Sequence, residues 1–438
     1  MAHSETADHV TGDDSPSHYE ARNAWAIAAD MVLFVTGVTF ISQTVVLPSF
    51  VAGLTDSETI VGLAGGLTSG GWLLPQLLVA SQLARVPRKK DLLVRSALLG
   101  RTFLLLVALA IWLLGWQYPP VALVIGLAGV FAFFCMDGVS TVAWYDLLAR
   151  VIPERRRGRL LGISQFVGGL GAVGAGIAVR FILSEESPWA FPDNYALLFG
   201  LASITLLVGV AFLNRIREPE SQPADKEVAS SRRVLALLLT TLDRDRPFLR
   251  LVTVRLLSGC ISVASVFYIL YATRNLGLGM DAAGLFVSAQ VVGSLAAGLL
   301  TGAVQDRWGP IVHMRATAGL SAIPPIIALC AGRLSGILGQ QVLYPYLLVY
   351  FFLGISMGSM GWPYVNWIIE YTDEVKRPLY IGALNTLGAL TMLAPVLGGW
   401  VVRSVSYSAV FALAVVFALS SLVVSLPLPN PRRGQADG

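Results

Sequence analysis

The 438-residue sequence contains little charge and few of the residues that build metal or disulfide sites. Asp, Glu, Lys and Arg make up 13% of the chain, about half their share in a typical soluble domain. Only three cysteines and four histidines are present, and Cys135, Cys260 and Cys330 lie in separate apolar stretches. These absences argue against a secreted disulfide scaffold, a metal centre and a soluble nucleic-acid-binding protein. We therefore expect no metal site, no cofactor and no nucleic-acid partner.

Apolar residues dominate the chain in long runs. They form 55% of the sequence, and the mean hydropathy is +0.68. A membrane-spanning helix needs roughly 20 apolar residues, so twelve spans would use about 240 residues. The runs predict helices at 26–50, 60–82, 96–116, 120–145, 160–183, 194–214, 251–272, 284–305, 311–332, 342–368, 380–402 and 406–427.

Basic residues are distributed unequally between the two sides of these spans. If the N-terminus is cytoplasmic, 25 of the 31 Lys and Arg lie in or near cytoplasmic segments and four lie outside, while Arg101 and Arg255 fall within spans. This asymmetry is typical of membrane proteins with the basic side in the cytoplasm. It predicts a multi-pass plasma-membrane protein, of the bacterial inner-membrane type, with both termini cytoplasmic.

The longest interior polar stretch, residues 215–250, divides the spans into two groups of six. The apolar segment Val234–Leu242, flanked by arginines, favours a short helix at the membrane surface, although a wholly disordered linker is the alternative. The predicted organisation is a disordered cytoplasmic tail at 1–22, six-helix bundles at 23–214 and 251–428, and a cytoplasmic tail at 429–438.

The two groups of spans contain an internal repeat. Pro153–Gly162 aligns with Asp373–Gly382 at an offset of 220 residues, and Ala80–Pro87 aligns with Gly302–Gly309 at an offset of 222. Matching offsets predict two parallel, pseudo-symmetric six-helix bundles in an all-α integral membrane fold. Such repeats place a substrate site near the membrane midplane, where the bundles meet.

The loop after the eighth span carries a recognisable motif. The segment GAVQDRWGP resembles the signature loop of the major facilitator superfamily, G-x-x-x-D-R-x-G, through Gly302, Asp306, Arg307 and Gly309. In such a loop we expect the glycines to allow a tight turn against a neighbouring helix, and Asp306 and Arg307 to tie cytoplasmic helix ends together. The resemblance extends over nearly the whole chain. It implies a secondary transporter whose first, fourth, seventh and tenth spans line a central cavity.

The first-half copy of this loop is degenerate. Ala84 replaces the acid and Pro87 the second glycine, which leaves Arg85 and Arg88 as its basic part. The resemblance implies that acids at nearby helix ends face these loops. We therefore expect Asp146 to pair with Arg85 or Arg88. Glu370, at the related place in the second half, is expected to pair with Arg307, and ordinary solvent-exposed carboxylates are the alternative for both acids.

Four ionisable residues lie within the spans, where charge is costly and often functional. Asp30 and Arg255 occupy repeat-related positions at an offset of 225 residues and are predicted to approach each other when the cytoplasmic side closes. Asp30, Arg101 and Asp137 fall at a similar depth on the cytoplasmic side of their spans, and Arg101 is predicted to clamp Asp137. Together the four are candidates for gating or ion coupling. Fixed structural ion pairs are the alternative.

The middle third of the spans carries no charge, which favours a neutral or amphiphilic substrate. Six polar or aromatic residues of the four central spans are candidates to line the cavity: Thr39, Gln43, Phe134, Tyr268, Ser356 and Trp362.

The function predicted from these features is secondary active transport of a small solute by alternating access. The segment APVLGG at Ala394–Gly399 resembles part of the glycine-proline motif of antiporters. Plain helix packing is the preferred interpretation of this segment, and proton-coupled efflux is the alternative that the resemblance implies. A membrane enzyme would need a cluster of catalytic groups at one interface, and none is visible in the sequence. A transporter-like sensor or lipid-moving protein stays open as a second function. We expect a monomer whose partners are its substrate and membrane lipids.

Overall fold

The structure is a computed structural model, and it describes residues 16–83, 88–219, 245–373 and 376–431. All regular secondary structure in these ranges is helical. In the first half of the chain, residues 16–219, the helices are α1 (Pro16–Thr39), α2 (Val46–Leu54), α3 (Glu58–Leu83), α4 (Lys89–Leu114), α5 (Pro119–Val151), α6 (Glu154–Ile182) and α7 (Asp193–Leu213).

In the second half, residues 245–431, shorter helices are more frequent. They are α8 (Arg246–Cys260), α9 (Phe267–Arg274), α10 (Ala282–Ser321), α11 (Ile323–Leu338), α12 (Leu343–Ser359), α13 (Trp362–Tyr371), α14 (Arg377–Gly388), α15 (Ala394–Ser404) and α16 (Tyr407–Ser425). The protein is thus an all-α membrane protein, as the sequence predicts.

Eight helical segments of the described residues are long and apolar enough to cross a membrane. One of them, Ala282–Tyr371, contains 90 residues and would measure about 135 Å as a straight helix. Because this length is several times the membrane thickness of about 30 Å, the segment must cross more than once. The third to twelfth predicted spans fall on these eight segments, and the first two fall on α1 to α3.

Several predicted spans are broken, although the sequence analysis treated each as continuous. The first span ends at Thr39 and resumes at Val46. The hydroxyl of Thr39 donates to the carbonyl of Val35 at 2.7 Å, a contact that bends helices, and Pro48 cannot donate a helical hydrogen bond. The seventh span is broken at Ile261–Ala264 and the eleventh at Ala389–Leu393, each by a 3-10 turn.

The helix boundaries also correct the predicted tail. Helix α1 begins at Pro16, so residues 16–22, which were expected to be disordered, are helical. The predicted surface helix at Val234–Leu242 lies outside the described residues.

Two repeat-related arginines make the same contact in the two halves. Arg157 donates to the carbonyl of Ala149 at 2.5 Å, and Arg377 donates to the carbonyl of Ile369 at 3.1 Å. Each arginine therefore caps the C-terminal end of the preceding helix, and donors and acceptors are both related by the 220-residue offset. The repeat seen in the sequence is present in the structure.

We name the two ends of the molecule by their charge. The basic end contains residues 88–90, 150–159, 215–219 and 245–250, and the opposite end contains residues 55–58, 183–192 and 274–281. Near the opposite end, the backbones of the two halves lie in close contact. A Cβ atom on Gly62 would collide with the carbonyl group of Pro395, and one on Gly284 would collide with the carbonyl of Gly176.

A close backbone approach within the second half generates a stability prediction. Helices α10 and α12 meet so closely that a Cβ on Gly293 would collide with the carbonyl oxygen of Phe351. Gly298, on the same helix, has no atom within 4 Å of its Cβ position. We expect Gly293→Ala to destabilise the protein by about 1–3 kcal/mol through overpacking.

Gly298→Ala is the matched control, and it should leave stability unchanged or raise it slightly because alanine favours helix. Thermal unfolding of the purified protein in detergent measures both variants. Equal melting temperatures for the two variants would contradict the close approach.

Candidate functional site

A cavity of about 610 Å³ lies between the two halves, within the size range of small-molecule sites. Its lining includes Leu93 and Leu213, close to the basic ends of α4 and α7, and Thr44 at the break between α1 and α2. The cavity therefore extends from the middle of the molecule toward the basic end.

The opposite end is closed by contacts between the halves. The hydroxyl of Thr44 donates to the side-chain oxygen of Gln290 at 2.6 Å. Farther out, Glu58 of α3 accepts hydrogen bonds from Arg274 and from the hydroxyl of Tyr407 at 2.9 Å. Arg180 of the first half and Asp281 of the second form a further ion pair on this side, at 4.0 Å. The structure thus corresponds to a state that is open at the basic end.

Asp30 and Arg101 form a buried ion pair at the edge of the cavity. The guanidinium lies 2.9 Å from the Asp30 carboxylate, and the two side chains are 6% and 5% exposed. Arg101 also donates to the carbonyl of Leu206 at 2.6 Å. A Cβ on Gly209 would lie 2.8 Å from Asp30, so this position has no room for a side chain. Helices α1, α4 and α7 are joined here by hydrogen bonds.

This pair corrects one prediction. Arg101 was expected to clamp Asp137, but its hydrogen bonds go to Asp30 and to Leu206. Asp137 lies near enough to feel the charges of both Asp30 and Arg101. The positions of the three residues along their spans predict that they lie at one depth in the membrane. They do not predict the rotation of α1 that turns Asp30 toward α4.

Asp137 and Arg255 line the same cavity without an ion-pair partner. In the part of the chain that the structure describes, neither has an oppositely charged group within 4 Å. Arg255 instead lies over the ring of Tyr364, with its guanidinium carbon 5.4 Å from the ring centre. Asp30 and Arg255 are not paired in this state, and their approach on closure of the basic end stays a prediction.

The six predicted cavity residues divide into two groups. Four of them, Gln43, Phe134, Tyr268 and Ser356, line the cavity. Thr39 does not, because its hydroxyl is turned back onto its own helix and the residue is buried. Trp362 is 65% exposed at the start of α13, so its prediction as a lining residue is wrong.

Comparison with known proteins places the chain in a family. The sequence model of the Major Facilitator Superfamily matches residues 31–323 and 261–438. The chain belongs to the major facilitator superfamily. No curated protein sequence is significantly similar to it.

Solved structures of major facilitator transporters share the fold. The D-xylose–proton symporter superimposes with a TM-score of 0.67 at 18% identity, covering 95% of this chain and 99% of that one. A bacterial homologue of the iron transporter ferroportin, in an inward-facing state, gives a TM-score of 0.67 at 14% identity, with coverage of 95% and 99%. A POT family transporter bound to 5-aminolevulinic acid gives 0.67 at 13% identity, with coverage of 92% and 95%.

The superfamily's signature loop adopts a turn that requires one of its glycines. Gly309 has a φ of 83°, a conformation that other residues rarely adopt, and the chain bends there inside α10. Gly302 was expected to allow close packing, but no atom lies within 4 Å of its Cβ position. Asp306 lies on the exposed face of this turn, and its expected role in joining helix ends stays a prediction.

The helix-end acid Asp146 has a different partner from the one that the family resemblance implied. Asp146 pairs with Arg150, one turn later on its own helix, at 3.0 Å rather than with Arg88, and Arg85 lies outside the described residues. Arg307 lies over the ring of Trp308, with the guanidinium carbon 5.2 Å from the ring centre, and its expected pairing with Glu370 stays a prediction. An exposed guanidinium gains little from pairing across water, so stacking on a neighbouring ring competes easily.

Two acids that the sequence analysis missed organise the basic end. Glu218 accepts hydrogen bonds from the backbone N–H groups of Lys89 at 3.1 Å and Lys90 at 2.9 Å. Asp245 accepts hydrogen bonds from the hydroxyls of Tyr371 at 3.0 Å and Tyr380 at 2.7 Å. Each acid lies in the polar stretch 215–250, where no periodicity distinguishes it from its neighbours, so the sequence offered no signal for either.

The buried pair in this major facilitator protein generates the next prediction. Removing one partner leaves a buried unpaired charge, so Asp30→Asn or Arg101→Leu alone should cost about 3–5 kcal/mol, and the double variant much less than their sum. Melting temperatures of the two single variants and the double variant measure the coupling between the residues.

A second set of variants serves as the control. Asp30→Asn combined with Arg255→Gln should be additive, because residues without a shared contact usually are. Coupling of Asp30 to Arg255 rather than to Arg101 would contradict the geometry of the pair.

Proposed function

We propose that the protein is a secondary active transporter that moves a small neutral or amphiphilic solute by alternating access. We propose further that it exports this solute and that the export is coupled to protons. The observation that carries this proposal is the cavity between two repeat-related halves, closed at one end and continuous with the other. Rocking of one half against the other would expose the same residues to the second side.

The lining of the cavity supports an amphiphilic solute. Aromatic and sulfur-containing side chains supply adaptable apolar contact, among them Trp72, Trp144, Met357 and Met360. Hydroxyl and amide groups are interspersed with them, including Gln43 and Ser356. A site of this composition can hold an apolar body and orient it by a few polar contacts.

The setting of Asp137 supports proton coupling. This carboxyl group lines the cavity and has no cation within 4 Å among the described residues. Its polar surroundings are the indole of Trp72 on α3 and the charges of Arg101 on α4 and Asp30 on α1; Arg255 lies in the cavity wall of the other half. A carboxyl group at such a place can take up and release a proton without breaking a fixed ion pair.

The direction and the cellular location rest on the charge asymmetry. The basic end would face the cytoplasm of a plasma membrane, with both termini on that side. A cavity that is open there can receive a solute from the cytoplasm, which is the loading step of efflux. The reaction would move the solute without changing its covalent structure.

Replacement of Asp137 provides the test. We expect Asp137→Asn to abolish uphill transport driven by a pH gradient, at least tenfold below the parent, and to preserve exchange of solute down its own gradient, since a neutral amide cannot carry the proton. The measurement is flux from proteoliposomes loaded with a pool of small amphiphilic compounds, followed by mass spectrometry with and without an imposed pH gradient.

Asp91→Asn is the matched control. Asp91 is an exposed acid in the first turn of α4, away from the cavity, and its loss should leave the pH dependence intact. Equal coupling in Asp137→Asn and the parent would overturn the role of Asp137. Movement of a labelled phospholipid, with no flux of any compound in the pool, would overturn solute transport and favour the lipid-moving alternative.

A further inference from the structure

The two halves of the protein contribute different charges to the cavity wall. Four charged side chains of the described part of the chain line it: Asp30, Asp137, Arg101 and Arg255. Asp30 and Arg101 neutralise each other within the first half. Asp137 is the other acid in the wall and belongs to the first half. Arg255 is the other base and belongs to the second half. Among the described residues, the second half contributes no carboxylate to the wall.

Arg255 is positioned by groups that do not neutralise it. Its guanidinium lies over the ring of Tyr364. The Tyr364 hydroxyl donates to Ser258 at 2.7 Å, and Ser258 lies within hydrogen-bond distance, 2.7 Å, of Ser421. On another side, a Cβ at Gly388 would lie 3.8 Å from Nε of Arg255. A buried hydrogen-bonded network thus fixes the ring beneath the guanidinium, while the side chain keeps partial exposure.

This arrangement is costly for a carrier that must close around its cavity. Occlusion removes water from Arg255, and a desolvated cation without a counter-charge is strongly unfavourable. Stacking on a tyrosine ring offsets only a part of that cost. An anionic group brought by the solute would offset it better, because a guanidinium binds a carboxylate through two parallel hydrogen bonds.

We propose that the transported solute is an amphiphilic organic anion with a single carboxylate-like headgroup, which Arg255 binds while the apolar body lies against the aromatic and methionine side chains of the cavity. This inference rests on the proposed transport function and narrows its substrate class. The headgroup would give Arg255 a counter-charge that no described residue supplies within 4 Å.

The test compares ligands that differ only in their headgroup. Triads of acid, amide and amine are built on several bodies, for example 4-phenylbutyrate, 4-phenylbutanamide and 4-phenylbutylamine. Apparent affinities follow from the ligand dependence of the melting temperature of the full-length protein. At least one acid should bind about tenfold or more tightly than its own amide, the usual effect of a hydrogen bond to a charged group, and its amine should bind no better than the amide.

Variants of Arg255 test whether the preference for the acid over the amide depends on this residue. Arg255→Gln should remove the difference between acid and amide, and Arg255→Lys should keep a part of it because the charge stays while the planar fork is lost. Arg403→Gln, which changes an exposed arginine of the same half in the last turn of α15, should change nothing. If Arg255→Gln does not fold, the Lys variant carries the comparison.

The outcomes separate this inference from the transport function. Tighter binding of amines, equal binding of acid and amide, no binding of any acid, or an acid preference unchanged in both Arg255→Gln and Arg255→Lys would each overturn the anion proposal. Flux of amides in proteoliposomes would leave transport standing without the anion. Acid binding at Arg255 with no flux of that acid would support the anion site and overturn transport.

Discussion

The backbone contact between the two halves at the opposite end is the constraint on which the rest of the structure depends. Gly62 of α3 meets the start of α15, and Gly176 of α6 meets Gly284 of α10, at places where a Cβ atom would collide with the facing chain. Small residues allow helices to pack this closely in a membrane. Because the halves are held together on that side, the space between them lies toward the basic end, and it forms the cavity.

Charge is costly inside a membrane, so each charged residue of the cavity wall calls for a counter-charge or a function. Asp30 and Arg101 neutralise each other and join three helices of the first half, so we interpret them as a structural pair. Among the described residues, Asp137 and Arg255 have no such partners, and we propose that they are the groups that bind the proton and the solute. The contacts therefore distinguish the structural pair from the two residues that we propose for function. The sequence does not distinguish them, because all four are charged residues within predicted spans.

Hydrophobic runs and basic loops were enough to predict the helical membrane fold, and the aligned loops predicted the repeat that Arg157 and Arg377 display in their shared cap. The breaks in the first and seventh spans were missed because threonine and serine hydroxyls that bend a helix leave its apolar pattern intact. The partner of Arg101 was missed because sequence depth gives a residue's level in the membrane and not the rotation of its helix. For the same reason Trp362 was assigned to a cavity that it does not line.

Alternating access is tested most directly by spin-label distances at the two ends in lipid nanodiscs, in a background without native cysteines. One label pair replaces Asp56 and Ser406 at the opposite end, and the other replaces Arg155 and Asp373 at the basic end; all four positions are exposed. Arg274→Gln removes the bond to Glu58 that joins the halves, whereas Arg403→Gln serves as the control. Rocking predicts that Arg274→Gln lengthens the first distance and shortens the second, with no change in the control. A longer distance at the opposite end without a shorter one at the basic end would contradict it.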